Sequence, residues 1–286
     1  LNTAGFTVTA IQRADSTNSA PTASKSLKVD LSSPSALTSA FHNQDVVVSA
    51  VPNPRLSTEK IWIEAAITAG VRRIIPSEYS TNLETALSRK LPIVQEKLEI
   101  REYVERLGKE GKIEWTSINN GPFFVQWIWL SGFMGPDVKK KKATWHDGGE
   151  KIVATSTLER IGEGVARSLL DEYKDGTRNK PVYVYSAAMS EKKMAGIVTK
   201  LSGVEFQGKK ASIEEITRKA FEDDKGDGGH DFNFYIPFCF GEGYGGDFRY
   251  LSWNEKLGLE EMSEGEVEGL VKGWLEEMGG EKVGAS

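Results

Sequence analysis

The chain has 286 residues, 39% hydrophobic and 27% charged, enough to bury a sizeable core as one large domain or as a main domain with a smaller one. A formal net charge of −5 argues against a nucleic-acid partner, which requires clustered positive charge, and the single cysteine, Cys239, excludes an internal disulfide and a cysteine-rich metal site. No apolar run reaches membrane-spanning length and no charged-then-apolar leader precedes Leu1, so no membrane partner, no metal and a reducing, cytoplasmic setting are expected.

The first elements read as if the chain began inside a fold. Leu1 to Gly5 resembles the end of a helix, and Phe6 to Ile11 a strand closing on Arg13. Residues 15–26 form a small polar loop. Asp45 to Val51 is a continuous β-branched run, the pattern of a strand covered on both faces. Thr58 to Ala69 is helical with Gly70 as its stop, and Arg72 to Pro76 is a second buried strand followed by a turn-rich segment to Asn82. Pro92 opens a long helix to about Leu107, and Ile113 to Ile118 returns as a strand into Asn119-Asn120-Gly121-Pro122. This alternation predicts a Rossmann-like, doubly wound parallel α/β sheet over residues 1–122. A smaller mixed α/β substrate-binding region follows over 123–286, part of it packing back on the sheet.

Strand ends at Ser49, Ser77 and Asn120 then fall along one edge, where such sheets bind ligands. Arg13 stands at the end of the second strand of the expected fold. An acidic residue there binds a ribose 2′-hydroxyl, whereas a guanidinium suits a 2′-phosphate, so the expected cofactor is NADP rather than NAD. The glycine-rich loop and first strand that should precede Leu1 are missing. Upstream residues, or a defective gene product, are therefore expected.

The second half is less regular. Ser156 with Glu159, Ser212 with Glu215 and Ser263 with Glu266 mark helix starts as capping boxes. Phe221 to Tyr250, rich in glycine and aromatics, reads as a long loop and a candidate pocket wall with Trp127, Trp129 and Trp145, although aromatics at such spacing are more often core. Gly241 to Gly246 meets the spacing G-x-G-x-x-G but lacks a buried strand before it and a helix after it, so it is not taken as a phosphate cradle. The run Lys139 to Lys142 reads as a solvated loop.

The helix from Pro92 carries the chemical signal. At about 100° per residue, Gln95, Glu99, Glu102 and Arg106 share one side, while Ile93, Val94, Leu98, Ile100, Tyr103, Val104 and Leu107 cover the remaining arc. Lys97 and Arg101, one turn apart, fall inside the apolar arc. Burial and a like-charged neighbour both lower an ammonium pKa, which makes Lys97 a candidate proton donor. The alternative is that both side chains snorkel to water. The position after a strand that ends in the crevice favours the site.

Taken in order, Val46 to Val51, Gly70 to Tyr79 with its Arg73-Ile-Ile-Pro-Ser-Glu-Tyr79 core, Lys97 with Arg101, and Asn120-Gly-Pro-Phe-Phe124 resemble the successive motifs of the NmrA-like and isoflavone-reductase-like proteins. These are a branch of the atypical short-chain dehydrogenases. The resemblance spans about residues 1–200, is strongest over 73–79, and in its Gly-Pro-Phe-Phe ending is closest to fungal members. It implies that Lys97 is the catalytic lysine and also contacts the cofactor, and that Arg101 is a cofactor-contacting basic residue. Arg13 would recognise the 2′-phosphate, with Lys25 a looser second. Ser49, Ala50, Val51 and Pro52, with Ser77, Glu78 and Tyr79, would line the cofactor groove, and Asn120, Pro122 and Phe123 would wall its nicotinamide end. For Ser77 and Glu78 the other reading is turn capping, and one of Phe123 and Phe124 is expected in the core. The chain departs from ordinary short-chain dehydrogenases in having no suitably placed Tyr-x-x-x-Lys pair.

Three functions follow. The first is an NADPH-dependent reductase acting on a small aromatic or conjugated molecule, with Lys97 managing the proton. The second is an NADP-sensing regulator with a protein partner and no turnover. The third is a cofactor-free remnant. Retention of Lys97 favours the enzyme.

Overall fold

The structure, a computed structural model, describes residues 1–50, 58–224 and 232–279. From the N-terminus run β1 (Thr9–Arg13), β2 (Lys25–Val29), α1 (Pro34–Phe41), β3 (Val46–Val48), α2 (Glu59–Thr68), β4 (Arg73–Ile75), α3 (Gln95–Lys109) and β5 (Glu114–Asn119). There follow α4 (Gln126–Trp129), β6 (Lys142–His146), β7 (Val153–Thr155), α5 (Leu158–Leu169), α6 (Lys174–Thr177), β8 (Lys180–Tyr183) and β9 (Ala187–Met189). The chain closes with α7 (Glu191–Ser202), β10 (Gln207–Ala211), α8 (Ile213–Asp223), α9 (Tyr235–Phe240) and α10 (Glu264–Met278). Among the described residues, no helix is long and apolar enough to cross a membrane.

The chain divides into two compact units that interleave instead of parting at one point. The first unit takes residues 1–79, 94–119 and 162–182, and the second takes 80–93, 120–161 and 183–286.

The first unit has a Rossmann-like α/β arrangement. Strands β3, β4, β5 and β8 form one sheet in that order, with β3, β4 and β5 parallel, and β1 pairs with β2 in a separate parallel ribbon. β2 takes residues 25 and 26 from the segment expected as a polar loop. The Val46–Val48 run is a strand of β-branched side chains in which Val47 is buried and Val46 and Val48 are only half-buried, so the cover expected on both faces is incomplete. Ser33 caps α1 by accepting from the Ala36 amide, with Pro34 preset at the first helical position. Gly70, at φ 78°, turns the chain out of α2 where a side chain would be strained. Leu37, Phe41, Val47, Ile63, Ile74, Ile100, Val104, Leu107 and Trp115 make the core. Each such side chain contributes about 1.5–3 kcal/mol on burial. The Trp62 indole donates to Leu31 O at 2.9 Å, tying α2 to the segment after β2.

Strands β1 and β3 do not pair with each other. Between them lies a groove of about 730 Å³, lined by Ile11 and Arg13 on one side, Val46 to Ala50 on the other, and Leu37, Phe41, Ile61 and Trp62.

In the second unit, β6 pairs in parallel with β10 and β7 antiparallel with β9. Its core gathers Trp129, Phe124 and Trp274, with Phe124 edge-on to both rings at 5.8 and 5.2 Å. Ser263 and Glu266 form the full capping box on α10, and Ser212 caps α8 by accepting from Glu215 N. The third expected cap is displaced by one residue. Thr157, not Ser156, accepts from Arg160 N, because the Ser156 hydroxyl is spent on the carbonyls of Asn120 and Val184.

The expected loop over 221–250 is also corrected. Residues 235–240 form the buried helix α9, and Pro237 is tolerated there because the first turn of a helix makes no use of its amide. Gly241 to Gly246 follows a helix rather than a strand, and a Cβ at Gly246 would lie 1.7 Å from Cys239 O, so this glycine serves close packing. Trp129 is core, Trp127 is exposed and Phe232 is exposed, so these aromatics do not form one pocket wall. Lys139, Lys140 and Lys141 are exposed, as a solvated loop requires.

Candidate active site

The site is built on the turn that follows β4. The Glu78 amide donates to Pro76 O at 2.8 Å, closing a three-residue turn, and Tyr79 leaves it at φ 32°, a conformation that costs a non-glycine residue on the order of 1–3 kcal/mol. Such a bend persists only where its surroundings hold it. Here two helices do so, both within the first unit.

From α3, Lys97 Nζ donates to Glu78 O at 2.6 Å and to Tyr79 O at 3.4 Å. The side chain as a whole is half-buried, and desolvation lowers its pKa to about 8 against the opposing fields of Glu78 and Glu59. One turn on, Arg101 is 2% exposed. Its Nε donates to Glu78 Oε2 at 2.7 Å, a second nitrogen pairs with Glu78 Oε1 and reaches Ser117 Oγ at 2.7 Å, and the guanidinium lies 5.3 Å from the Trp115 ring centroid. Both side chains therefore turn inward and neither snorkels.

From the first turn of α2, Glu59 is wholly buried. Its Oε1 accepts the Ser77 amide at 2.8 Å, while Oε2 has no hydrogen-bond partner. Burial raises this carboxyl to about 7. The neighbouring Ser49 hydroxyl, close but not aimed as a formed hydrogen bond, pulls the other way together with the Ser77 amide. Tyr79 is pushed upward by burial and by the field of Glu59.

The other expected residues are distributed as follows. Ser49 and Ala50 follow β3 and line the groove, with the Ser49 amide on Ile75 O at 2.9 Å. Val51 and Pro52 lie outside the described residues. Arg13 ends β1 with its side chain 61% exposed beside the groove and 3.7 Å from Asp15. Lys25 is not with it. The parallel register pairs Lys25 with Thr9 and Arg13 with Val29, so Lys25 starts its strand about 13 Å from the Arg13 end.

Arg101 and Glu78 need correcting too. Each is spent on the other inside the fold, so neither is open to a ligand, and Glu78 is a structural partner rather than a groove-lining group. Asn120, Pro122 and Phe123 belong to the second unit. There Asn120 N donates to Ser80 O, Pro122 O accepts the Thr155 hydroxyl at 2.7 Å, and Phe123 packs against the core that contains Phe124.

Residues 1–223 match the NmrA-like family. The chain belongs to that family. Oxidoreductase aprR of Aspergillus flavus is 32% identical over 220 residues, which cover 76% of this chain and 72% of that protein. A crystal structure of isoflavone reductase superposes with a TM-score of 0.65 at 18% identity, over 92% of this chain and 85% of that one. The binary complex of leucoanthocyanidin reductase with NADPH from Vitis vinifera gives 0.64 at 15% identity, over 84% and 80%. At such identities the two structures bear on the fold.

Three residues of this NmrA-like chain escaped the sequence reading. Glu59 looks like an ordinary first-turn carboxylate facing water. Ser117 looks like strand filler. Asn119, the last residue of β5, is fully buried with neither amide atom partnered. In the sequence neither stands out, because Ser117 has Glu114 and Thr116 as polar neighbours in the same strand and Asn119 is followed by Asn120.

Proposed function

We propose that this chain is an NADPH-dependent reductase acting on a small aromatic or conjugated molecule. The observation that carries this is Lys97, whose ammonium is held on two peptide carbonyls at the carboxyl end of a parallel sheet and whose pKa of about 8 lets it give up a proton near neutrality. The names borne by its relatives, an oxidoreductase, an isoflavone reductase and a leucoanthocyanidin reductase, support the same reaction class and an aromatic substrate.

The residues present fit the cofactor in part. Arg13 offers an exposed fork of donors beside the groove, suited to a 2′-phosphate, and Ser49 Oγ and the Asn119 amide are buried polar groups at strand ends without partners. Among the described residues of the first unit, no glycine-rich turn leads from a strand into a helix, so the pyrophosphate grip is not assigned. The cofactor, when bound, supplies the hydride. Arg13 binds its phosphate end, Ser49 and Ala50 line its groove, and Lys97 delivers the proton to the reduced substrate. The reaction is proposed for the cytosol, since the single cysteine, Cys239, allows no internal disulfide.

The test is to titrate the purified protein with NADPH by cofactor fluorescence and then follow NADPH oxidation with a panel of quinones and conjugated carbonyls. Binding with oxidation is expected. Binding without oxidation would favour an NADP sensor, and no binding would overturn both.

A further inference from the structure

Glu59 and Lys97, on the neighbouring helices α2 and α3, grip the same short stretch of backbone. The Ser77 amide is held by Glu59, and the carbonyls of Glu78 and Tyr79, one and two residues on, are held by Lys97. A carboxylate in the first turn of a helix ordinarily faces water and favours the positive end of the helix dipole. Glu59 is 0% exposed, and one of its oxygens faces no partner although an unpaired buried carboxylate oxygen is costly. Its position is therefore not explained by capping α2.

The other charged groups around it are accounted for. Glu78 is committed to Arg101, which also reaches the Ser117 hydroxyl, and the Tyr79 phenol is held protonated by burial. That leaves Glu59 as the acidic group whose field acts on Lys97, without direct contact, and whose second oxygen has no hydrogen-bond partner. Beside Glu59 stands the Ser49 hydroxyl, on the wall of the groove.

We propose that Glu59 is the proton reservoir for Lys97, a positioning residue that recharges the amine after each turnover and is itself refilled from the groove past Ser49. This rests on the reading of Lys97 as the proton donor. The balance is simple. The Lys97 ammonium loses a proton to the hydride-reduced substrate and becomes an amine. The Glu59 carboxylic acid then gives its proton to that amine, and the resulting carboxylate takes one proton from water. No electrons move in these transfers. With one group raised to about 7 and the other lowered to about 8, the exchange runs nearly level, whereas free side chains would differ by about six units.

The experiment is carried out on the resting chain and on the working one. Lysines are labelled biosynthetically with ¹³Cε and ¹⁵Nζ, and the Lys97 resonance, assigned by its loss in Lys97→Met, is followed against pH in wild type, Glu59→Gln and Glu59→Asp. Expected are two coupled steps in wild type and a single step at lower pH in Glu59→Gln. In turnover, Glu59→Gln should lose about tenfold in kcat with KM little changed, with one limb of the kcat–pH profile absent, and Glu59→Asp should restore part of both.

Should Glu59→Gln not fold, infrared spectra of wild type decide. A protonated-carboxyl band that vanishes as Lys97 titrates supports the pairing, and its absence overturns it. Identical Lys97 titrations in wild type and Glu59→Gln also overturn the proposal. A chain that never oxidises NADPH removes the reductase reading, while the Lys97 titration still reports whether the two groups are coupled.

Discussion

Arg101 closes on Glu78 through two nitrogens, Nε to Oε2 at 2.7 Å and a second to Oε1, in a pair with 2% of each side chain exposed. A buried pair of this kind holds geometry more than it adds stability, because desolvation offsets much of the attraction. Removing one partner is another matter. Arg101→Met should cost about 3–5 kcal/mol by urea unfolding, since it strands a buried carboxylate, and Arg101→Met with Glu78→Met should recover most of that loss. Equal destabilisation in the single and double variants would show that the pair is not the cause.

Lys97→Met keeps the aliphatic stem and removes the ammonium. NADPH binding, read by cofactor fluorescence, should stay within about threefold, while turnover should fall by about 10²–10⁴-fold. Unchanged turnover would remove Lys97 from the chemistry.

Stability should depend on pH in two opposed windows. Between the ordinary carboxylate value of 4.5 and about 7, folded Glu59 holds a proton that the unfolded chain has released, so stability falls as pH rises. Between about 8 and 10.5, folded Lys97 has released a proton that the unfolded chain keeps, so stability rises with pH. Each unit of displacement corresponds to about 1.4 kcal/mol. Urea midpoints across this range should flatten below pH 7 in Glu59→Gln and above pH 8 in Lys97→Met, relative to wild type.

At the end of β1, Arg13→Gln should weaken NADPH about 10–100-fold, the value of a charge-assisted contact, and leave NADH nearly unaffected. Parallel fluorescence titrations check it, and equal losses for both cofactors would separate Arg13 from the 2′-phosphate.

Gly121 sits at φ 67°, where a Cβ would lie 1.9 Å from Ala154 O. Gly121→Ala should therefore destabilise the second unit by about 1–3 kcal/mol or more, seen as a lowered Tm. An unchanged Tm would mean that the Asn120-Gly-Pro motif tolerates a side chain.

The sequence was most legible where one element carries the whole signal. The i, i+4 spacing of Lys97 and Arg101 inside an apolar arc placed both on the inward face of α3, and Val46 to Val48 announced a strand, although only Val47 of it is buried. What Arg101 does was not legible, because its partner Glu78 lies 23 residues away on another element. Glu59 was hidden for a related reason: on its own helix it is an ordinary first-turn acid, and only the fold of β4 and its turn over it creates the burial. Lys25 misled because basic character and sequence nearness to Arg13 say nothing about strand register. α9 was obscured by Pro237, which breaks a strand or a helix interior but not a first helical turn.

The groove between β1 and β3 leaves Arg13 on a two-stranded ribbon of its own, while Ser49, Glu59 and Lys97 belong to the other sheet and its helices. On the proposed reading, choice of coenzyme and management of the proton would lie on separate pieces of backbone. Substitutions in the ribbon would then alter which dinucleotide is preferred while leaving the proposed acid–base pair in place, so electron source and proton chemistry could be changed one at a time.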